Sequence, residues 1–359
     1  MDSGIATLDV LKPEELLEYT ELLNDKGKSL KLSLFFVMRE LKAGVKPNDP
    51  VMDKYNFNLV KASLTDELIG HFRGLLATQI EKHSAKDEVE ISEYRVIDDD
   101  SGDKIYSYAL NNALSFSDVV TNKIEDDTKY SIVKSLTDLK SSTSSTAGPK
   151  LWAYCLRVEN INNSEIFYSF RKIADGKLIT SDQSIRDRVS ALFDINHKEL
   201  KAFDGNLINF DDKIDCVCIK DRFYVFHKKS FESILGMDEE FLEVSKKTLK
   251  TIQSSNVIDE HGMGILDNLI THKPSIRKQL ISITEKNNHQ DIHIEEVNRV
   301  RTEQMKKDPF EIENGKIKFS SENAESDARD FLKIMNDYYK KGLTSGKIYK
   351  TDAGSLVDK

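Results

Sequence analysis

The stretch ELKAFDGNLINFDDKIDCVCIKDRFYVFHKKSFESILG, from Glu199 to Gly236, decides the fold class. Within it, KIDCVCI and FYVFH are rich in β-branched and aromatic residues, and only the polar residues 220–222 separate them. Two strands joined by so short a loop must run antiparallel. The apolar segments ELKAF and NLINF precede them, on either side of a turn tripeptide at 204–206. The stretch predicts an antiparallel meander, followed by a helix that begins at Ser230 and ends at Gly236.

The flanking sequence extends this pattern in both directions. LWAYCLRVEN (151–160) and EIFYSFRKI (165–173) are joined by a turn-forming tetrapeptide, so they predict a hairpin. From Asp238 onward the apolar residues recur at helical spacing as far as Tyr339, interrupted by FEIENGKIKF (310–319), a hairpin with Asn314-Gly315 at its tip. Strands followed by helices, with little strict alternation, predict an α+β fold: an antiparallel meander sheet followed by a helical region.

The first part of the chain predicts a smaller α+β domain. A helix is expected from Pro13 and another after Ser63, a strand over 29–38, and a hairpin from 91–97 with 104–110. Residues 1–140 carry a net charge of −8, whereas 141–359 carry only −1. Because SSTSSTAGP (141–149) has the composition of an exposed connection, the expected domains are 1–140 and 151–359, with a Ser/Thr-rich linker over 141–150.

Composition sets the class of protein. The 359 residues are 39% hydrophobic and 31% charged, with a net charge of −9. No segment approaches the ~18 consecutive apolar residues of a membrane-spanning helix. The acidic, amphipathic start is not a secretory signal, so we expect a cytoplasmic protein. Three cysteines, all in strand-like apolar contexts, are expected to be buried thiols in a reducing compartment.

The sequence contains only weak patterns for a catalytic or metal site. Cys216 and Cys218 lack two further ligands at zinc-site spacing, and the pair His289 and His293 lacks the glutamate of HExxH. Asp204, Asp215 and Lys220 are the residue types of a metal-dependent nuclease, but the odd offset from Asp215 to Lys220 places them on opposite strand faces. No catalytic residue, bound metal or cofactor is therefore expected, and the nuclease stays open as an alternative.

Basic residues give a clearer pattern, because they cluster around hairpins and helix starts. Displayed on one surface, such cations would bind phosphates by releasing counterions. The alternative is that they lie on solvated helix faces, balanced by nearby acids. The candidate DNA-binding residues are Arg171, Lys172, Lys177, Lys228, Lys229, Lys273, Arg277, Lys278, Arg299, Arg301, Lys306 and Lys307.

Four segments resemble a known family. They are LWAYCLRVEN, the hairpin RKIADGKLI, the run GNLINFDDKIDCVCIKDRFYVFHKKSFESILGMDEEF, and KDPFEIENGKIKF. They are similar to the KwaB-like family, the soluble component of the two-gene Kiwa anti-phage system of bacteria. The resemblance covers about 150 to 340, with Asp215, Phe223 to Phe226, and Phe231-Glu232 at the family's characteristic places.

The resemblance implies a DNA-binding defence effector without catalysis. Such proteins act beside KwaA, a small multi-pass membrane protein, which would place this chain at the inner face of the cytoplasmic membrane. The expected ligand is double-stranded phage DNA, bound largely independently of sequence to block its replication and expression. A homodimer is also expected. A further alternative is a non-catalytic interaction module, in which the acidic segments 98–103 or 125–127 dock on a basic loop of the membrane partner.

Overall fold

The structure is a computed structural model of the whole chain. It describes residues 10–25, 29–46, 54–85, 89–96, 104–110, 116, 119, 124, 150–173, 178–179, 191–194, 199–202, 207–208, 210–288, 292–341 and 348–350. Contacts divide the chain into two compact units. Unit 1 contains 1–47, 53–93 and 101–235, and unit 2 contains 48–52, 94–100 and 236–359.

An eight-stranded sheet forms the centre of unit 1, in the order β2-β1-β5-β6-β11-β12-β4-β3. Neighbouring strands pair antiparallel except β3 and β4, which are parallel. The strands are β1 (Leu30–Leu41), β2 (Tyr55–Ala62), β3 (Glu90–Glu93), β4 (Lys104–Ala109), β5 (Lys150–Asn160), β6 (Glu165–Lys172), β11 (Cys216–Ile219) and β12 (Arg222–Val225). Short pairs outside this sheet are β7 (Leu178–Ile179) with β10 (Leu207–Ile208), and β8 (Ala191–Asp194) with β9 (Glu199–Ala202).

Both faces of the sheet are covered, which explains the long apolar runs of its central strands. Helices α1 (Pro13–Asn24) and α2 (Asp66–Ser84) contribute Leu16, Phe72 and Ile80 to a core shared with β1 and β5. Helix α3 (Lys228–Leu235) packs on the opposite face, where Phe231 contacts the rings of Phe223 and Tyr108. Seven consecutive residues of β1 are therefore buried, without the alternation of a half-exposed strand.

The structure confirms the antiparallel pair at the end of the opening stretch. β11 and β12 are joined at Lys220 and Asp221, both at positive φ, as in the tight turns favoured by hairpins. The hairpin of β5 and β6 is also confirmed. The following helix begins at Lys228, two residues before the predicted Ser230, and Gly236 ends it at a φ of 71°.

Two strand pairings differ from the prediction. ELKAF and NLINF do form β9 and β10, but these pair with β8 and β7, so the meander is β6-β11-β12. The segments predicted as a hairpin near 91–110 instead form the parallel pair β3 and β4. Both errors concern which strands pair. The local pattern of a segment indicates that it is extended, but it does not indicate which strand lies beside it.

Unit 2 is mainly helical. Its helices are α4 (Asp238–Ser254), α5 (Glu260–His272), α6 (Pro274–Glu285), α7 (Ile294–Glu303) and α8 (Ala324–Met335). Their core includes Leu266, Ile270, Leu280, Phe331 and Leu332. The predicted hairpin at Asn314-Gly315 is confirmed as β13 (Glu311–Glu313) with β14 (Lys316–Lys318), and β15 (Tyr339–Lys341) pairs with β16 (Ile348–Lys350).

The α+β class is confirmed, as is the order of meander sheet and helical region. Strands from before and after 141–150 nevertheless belong to one sheet, because β1 pairs with β5 and β4 pairs with β12. The predicted linker falls within the segment 101–235 of unit 1, and the chain passes from this segment to unit 2 at Gly236. None of the described helices is both long and apolar enough to span a bilayer.

Candidate functional site: cations of the sheet and helices

Arg171, at the end of β6, is bound by two carboxylates. Its Nε and Nη2 donate to Asp211 at 3.0 and 2.6 Å, and its Nη1 donates to Asp215 at 2.5 Å. The Asp215 side chain is fully buried and also accepts the backbone N–H of Lys172 at 2.6 Å. Desolvation raises the pKa of Asp215, although these hydrogen bonds act in the opposite direction. The Arg171 guanidinium is thus held within the protein rather than displayed.

Lys172 lies against an aromatic ring. Its ammonium nitrogen is 3.3 Å from the centre of the Trp152 ring and donates to the carbonyl oxygens of Trp152 and Ile173 at 3.0 and 3.1 Å. The guanidinium of Arg39, a residue absent from the predicted set, lies 3.1 Å from the same ring centre. The structure therefore brings a predicted cation together with one that the sequence did not indicate.

The two lysines that start α3 have different environments. Lys228 is only 4% exposed, and its ammonium lies 5.6 Å from the centre of the Tyr106 ring. Lys229 is exposed and makes no ion pair with a described residue. Only Lys229 can meet a phosphate without rearrangement. Lys177, the third predicted cation of this part of the chain, lies outside the described residues.

The cations at the start of α6 already bind other groups of unit 2. Lys273 forms an ion pair with Glu325. The Arg277 guanidinium donates to the backbone oxygens of Ile270 and Thr271 at 2.6 and 2.7 Å, so it caps the end of α5. Desolvation lowers the Arg277 pKa. Lys278 lies 5.5 Å from the centre of the Phe241 ring and is partly exposed.

The cluster in and after α7 divides into buried and exposed members. Arg301 is 8% exposed, bonds Asp327 at 2.6 Å and lies 3.7 Å above Phe310. Arg299 is exposed but pairs with Glu296 and Glu303, and Lys307 bonds Asp330 at 2.5 Å. Lys306 alone is exposed without an ion pair to a described residue. Most of the predicted cations in this cluster thus carry a carboxylate partner.

Helix α4 presents cations that are not among the predicted DNA-binding residues. Lys246 and Lys250 are exposed one turn apart and make no ion pair with a described residue. Lys247, between them, pairs with Glu243 at 2.8 Å while both side chains stay largely exposed. The signal was present in the sequence, since KKTLK places these lysines opposite the apolar residues of the helix.

The geometry around Asp215 is unlike that of a nuclease centre. Its carboxylate is buried against Arg171, while Lys220 is exposed in the turn after β11. Asp204 and His289 lie outside the described residues, and within the described ranges no group of three His, Cys, Asp or Glu could hold a metal ion. Cys216 and Cys218 are buried, as predicted, and desolvation raises the pKa of both thiols.

A cavity of about 300 Å³ in unit 1 is lined by more acidic than basic side chains. Its lining includes Glu15, Glu18 and Glu165, and the Tyr19 hydroxyl donates to Glu165 at 2.7 Å. Carboxylates repel phosphate, so this cavity is unsuited to DNA. The acidic segments proposed for partner docking, 98–103 and 125–127, lie outside the described residues.

Comparison with known proteins identifies the family. A family profile described as "Kiwa protein KwaB-like" matches residues 149–344, which is more than half of the chain. The chain belongs to the KwaB-like family. No curated protein and no solved structure matches it. Membership implies a role in Kiwa anti-phage defence.

The matched region spans both units of this KwaB-like chain. It begins at the start of β5 and includes the meander strands, α3 and every helix of unit 2. All the predicted DNA-binding residues, from Arg171 to Lys307, lie inside it, and so do the lysines of α4. Arg39 and the rest of β1 and β2 lie outside it.

Proposed function

We propose that this KwaB-like chain binds double-stranded DNA through phosphate contacts, largely independently of sequence and without cleaving it. Blocking replication and expression of phage DNA would then be its part in Kiwa defence. The observation that carries the proposal is the exposed lysine face of α4, where Lys246, Lys247 and Lys250 follow an acidic first turn. Such a face can neutralise phosphates and release their counterions whatever the base sequence.

Exposed members of the predicted set add to this face. The side chains of Lys229 and Lys306 are exposed to solvent, and Lys278 is partly exposed. Arg171 and Arg301 are assigned a structural role in this proposal, because each would have to break a bond to a buried aspartate to reach a phosphate. The net charge of −9 opposes unspecific coating of DNA and favours contact through local basic surfaces.

The proposal includes partners. A small KwaA-like membrane protein would hold the chain at the inner face of the cytoplasmic membrane, and two copies would form a homodimer. The membrane partner is what the resemblance to the KwaB-like family implies, whereas the homodimer is a separate prediction. Co-purification with the product of a neighbouring membrane-protein gene tests the membrane partner. Light scattering tests the homodimer.

A gel shift with linear duplex DNA, with and without Mg²⁺, tests whether the chain binds DNA without cleaving it. We expect retarded and intact DNA at about 50 mM salt, with binding lost as the salt rises. Lys246→Gln/Lys250→Gln should weaken binding by about 25-fold to 100-fold, since each of the two lost phosphate contacts costs roughly fivefold to tenfold near 0.1 M salt. Lys318→Gln is the matched control, because Glu311 and Glu313 already neutralise its ammonium.

Two results would overturn the proposal. Cleavage of the DNA in Mg²⁺ or Mn²⁺ would favour the metal-dependent nuclease. Absence of any shift at low salt, with the membrane partner still bound, would favour the interaction module.

A further inference from the structure

The cavity of unit 1 that is unsuited to DNA, which we call the acidic cavity, lies between α1 and the turns at one end of the sheet. Its charged lining among the described residues is Glu15 and Glu18 of α1, Glu165 at the start of β6, and Lys220 in the turn after β11. Because β6 and β11 are neighbours, these turns lie side by side. The volume of about 300 Å³ is at the small end of ligand pockets, so it suits a ligand of amino-acid size.

The three glutamates of the acidic cavity retain free acceptor sites. Glu15 accepts the backbone N–H of Lys12 at 2.6 Å, and Glu165 accepts the hydroxyl of Tyr19 at 2.7 Å. Glu18 is exposed and forms neither a hydrogen bond nor an ion pair with a described residue. A carboxylate offers two oxygens and about four lone-pair sites. All three can therefore accept further donors, as an ammonium or guanidinium ligand requires.

Lys220 brings the opposite charge to the same cavity. It is exposed, and within the part of the chain that the structure describes it forms no ion pair, so its ammonium lies beyond ion-pair distance from the three glutamates. Charges of opposite sign that line one cavity without meeting leave room between them. A ligand that carries both a cation and a carboxylate would fill this room and bind both sides.

Asn160 supplies a buried donor to the cavity. The residue is only 8% exposed and forms part of the cavity wall. Its Oδ1 accepts the backbone N–H of Asn162 at 3.1 Å, which fixes the orientation of the amide and leaves Nδ2 without a partner among the described residues. A buried donor without a partner costs free energy, and an acceptor on a ligand would remove this cost. Asn160 thus indicates, independently of the charges, a ligand with a carboxylate oxygen.

We infer that the acidic cavity binds a free dibasic amino acid, such as L-arginine or L-lysine. The two cationic groups of the ligand bind the glutamates, and its carboxylate binds Lys220 and the Nδ2 of Asn160. Three carboxylates and one ammonium leave the described lining net negative, so a ligand with one more cation than carboxylate matches it in charge. Leu11 and Leu22, also in the wall, contact the methylene groups of the ligand. The inference does not depend on DNA binding.

Calorimetric titration of the full chain with small ligands, at constant ionic strength, tests the inference. We expect L-arginine and L-lysine to bind and to raise the midpoint of thermal unfolding. Agmatine, which is arginine without its carboxylate, should bind about tenfold more weakly, because it lacks the charged hydrogen bonds to Lys220 and Asn160. L-Citrulline, whose side chain is neutral, should also bind about tenfold more weakly, since it lacks the cation that faces the glutamates.

Two variants assign the binding to this cavity. Glu18→Gln should weaken the binding of both L-arginine and agmatine by about tenfold. Glu21→Gln is the matched control, because Glu21 is exposed on the same helix and does not line the cavity. Lys220→Gln should weaken the binding of L-arginine but not that of agmatine. Misfolding would not produce this selective loss.

Several results would overturn the inference. One is the absence of binding of both dibasic amino acids to the wild-type chain, and another is equal affinity for L-arginine and agmatine. Equal affinity of Glu18→Gln and Glu21→Gln for L-arginine would place the ligand elsewhere. If N-acetyl-L-arginine amide, which resembles an arginine within a protein chain, binds more tightly than L-arginine, the cavity receives a side chain of a protein partner instead. None of these results would affect the proposed DNA binding, which the gel shift tests separately.

Discussion

The guanidinium carbon of Arg39 lies 3.1 Å from the centre of the Trp152 ring, although the two residues are 113 positions apart in the sequence. The contact exists because β1 and β5 are neighbours and a bulge redirects Trp152. It places a stacked cation at a solvent-bordering end of the sheet. The structural pairs of the protein, Arg171 with Asp215 and Arg301 with Asp327, are instead buried.

Loss of Arg171 should destabilise the sheet. Arg171→Met leaves the buried Asp215 without its cation, and breaking a buried pair in this way costs about 3–5 kcal/mol. Urea unfolding followed by circular dichroism measures the change. Arg299→Gln is the control, because its ion pairs are exposed and its loss should change stability little. A loss for Arg171→Met no larger than that of the control would contradict the structural role.

Asp327 should be equally important in unit 2. It accepts from Arg301 at 2.6 Å and from the backbone N–H of Ser320 at 2.8 Å, so it joins α7 to the start of α8. Asp327→Ala should cost about 3 kcal/mol, since it leaves the buried Arg301 with the more distant carboxylate of Asp330, at 3.9 Å. Hydrogen exchange should show the loss of protection in α7 and α8. Unchanged protection there would mean that Arg301 finds another partner.

Glu325 should make stability depend on pH in one direction. Hydrogen bonds from Lys273 and Arg329 lower the pKa of Glu325 below its usual range. The folded state therefore binds its proton less readily than the unfolded state, and the gain in stability is present at neutral pH and lost as the pH falls through the folded pKa. Glu325→Gln should be slightly less stable than the wild type at pH 7 and equal to it near pH 3. A difference that persists in acid would assign the effect to packing.

The three cysteines should be unreactive in the folded protein. Cys155, Cys216 and Cys218 are buried, and desolvation raises the pKa of each thiol. Since the thiolate is the reactive form, a thiol reagent should label them only after unfolding in urea. Rapid labelling of a native thiol would show that the sheet opens locally.

Local signals in the sequence predicted much of the fold. The turn at Lys220-Asp221, the hairpin at Asn314-Gly315 and the helix start at Pro13 each depend on residues within a few positions. The partners of β9 and β3 were not predictable in this way, because they lie in other segments. The sheet across 141–150 was missed for the same reason: composition indicates an exposed connection, but not whether the strands on its two sides pair.

The local sequence likewise does not reveal which of the predicted cations are exposed. Arg171 and Lys229 look alike in the sequence, and only the fold reveals that Asp211 and Asp215 hold the first while the second stays in solvent. Arg39 was overlooked because it lies in the acidic first part of the chain. The fold brings it to the ring of Trp152 in β5, which Lys172 of β6 also contacts.

The salt dependence of duplex binding tests the central claim most directly. Fluorescence anisotropy of labelled DNA with the full chain, measured between about 50 and 200 mM salt, gives the slope of log K against log salt. Binding through several phosphates predicts a steep linear decrease, with a slope near −0.9 for each contact, and the same slope for duplexes of unrelated sequence. A slope near zero, or tight binding of one duplex alone, would contradict DNA binding through exposed cations.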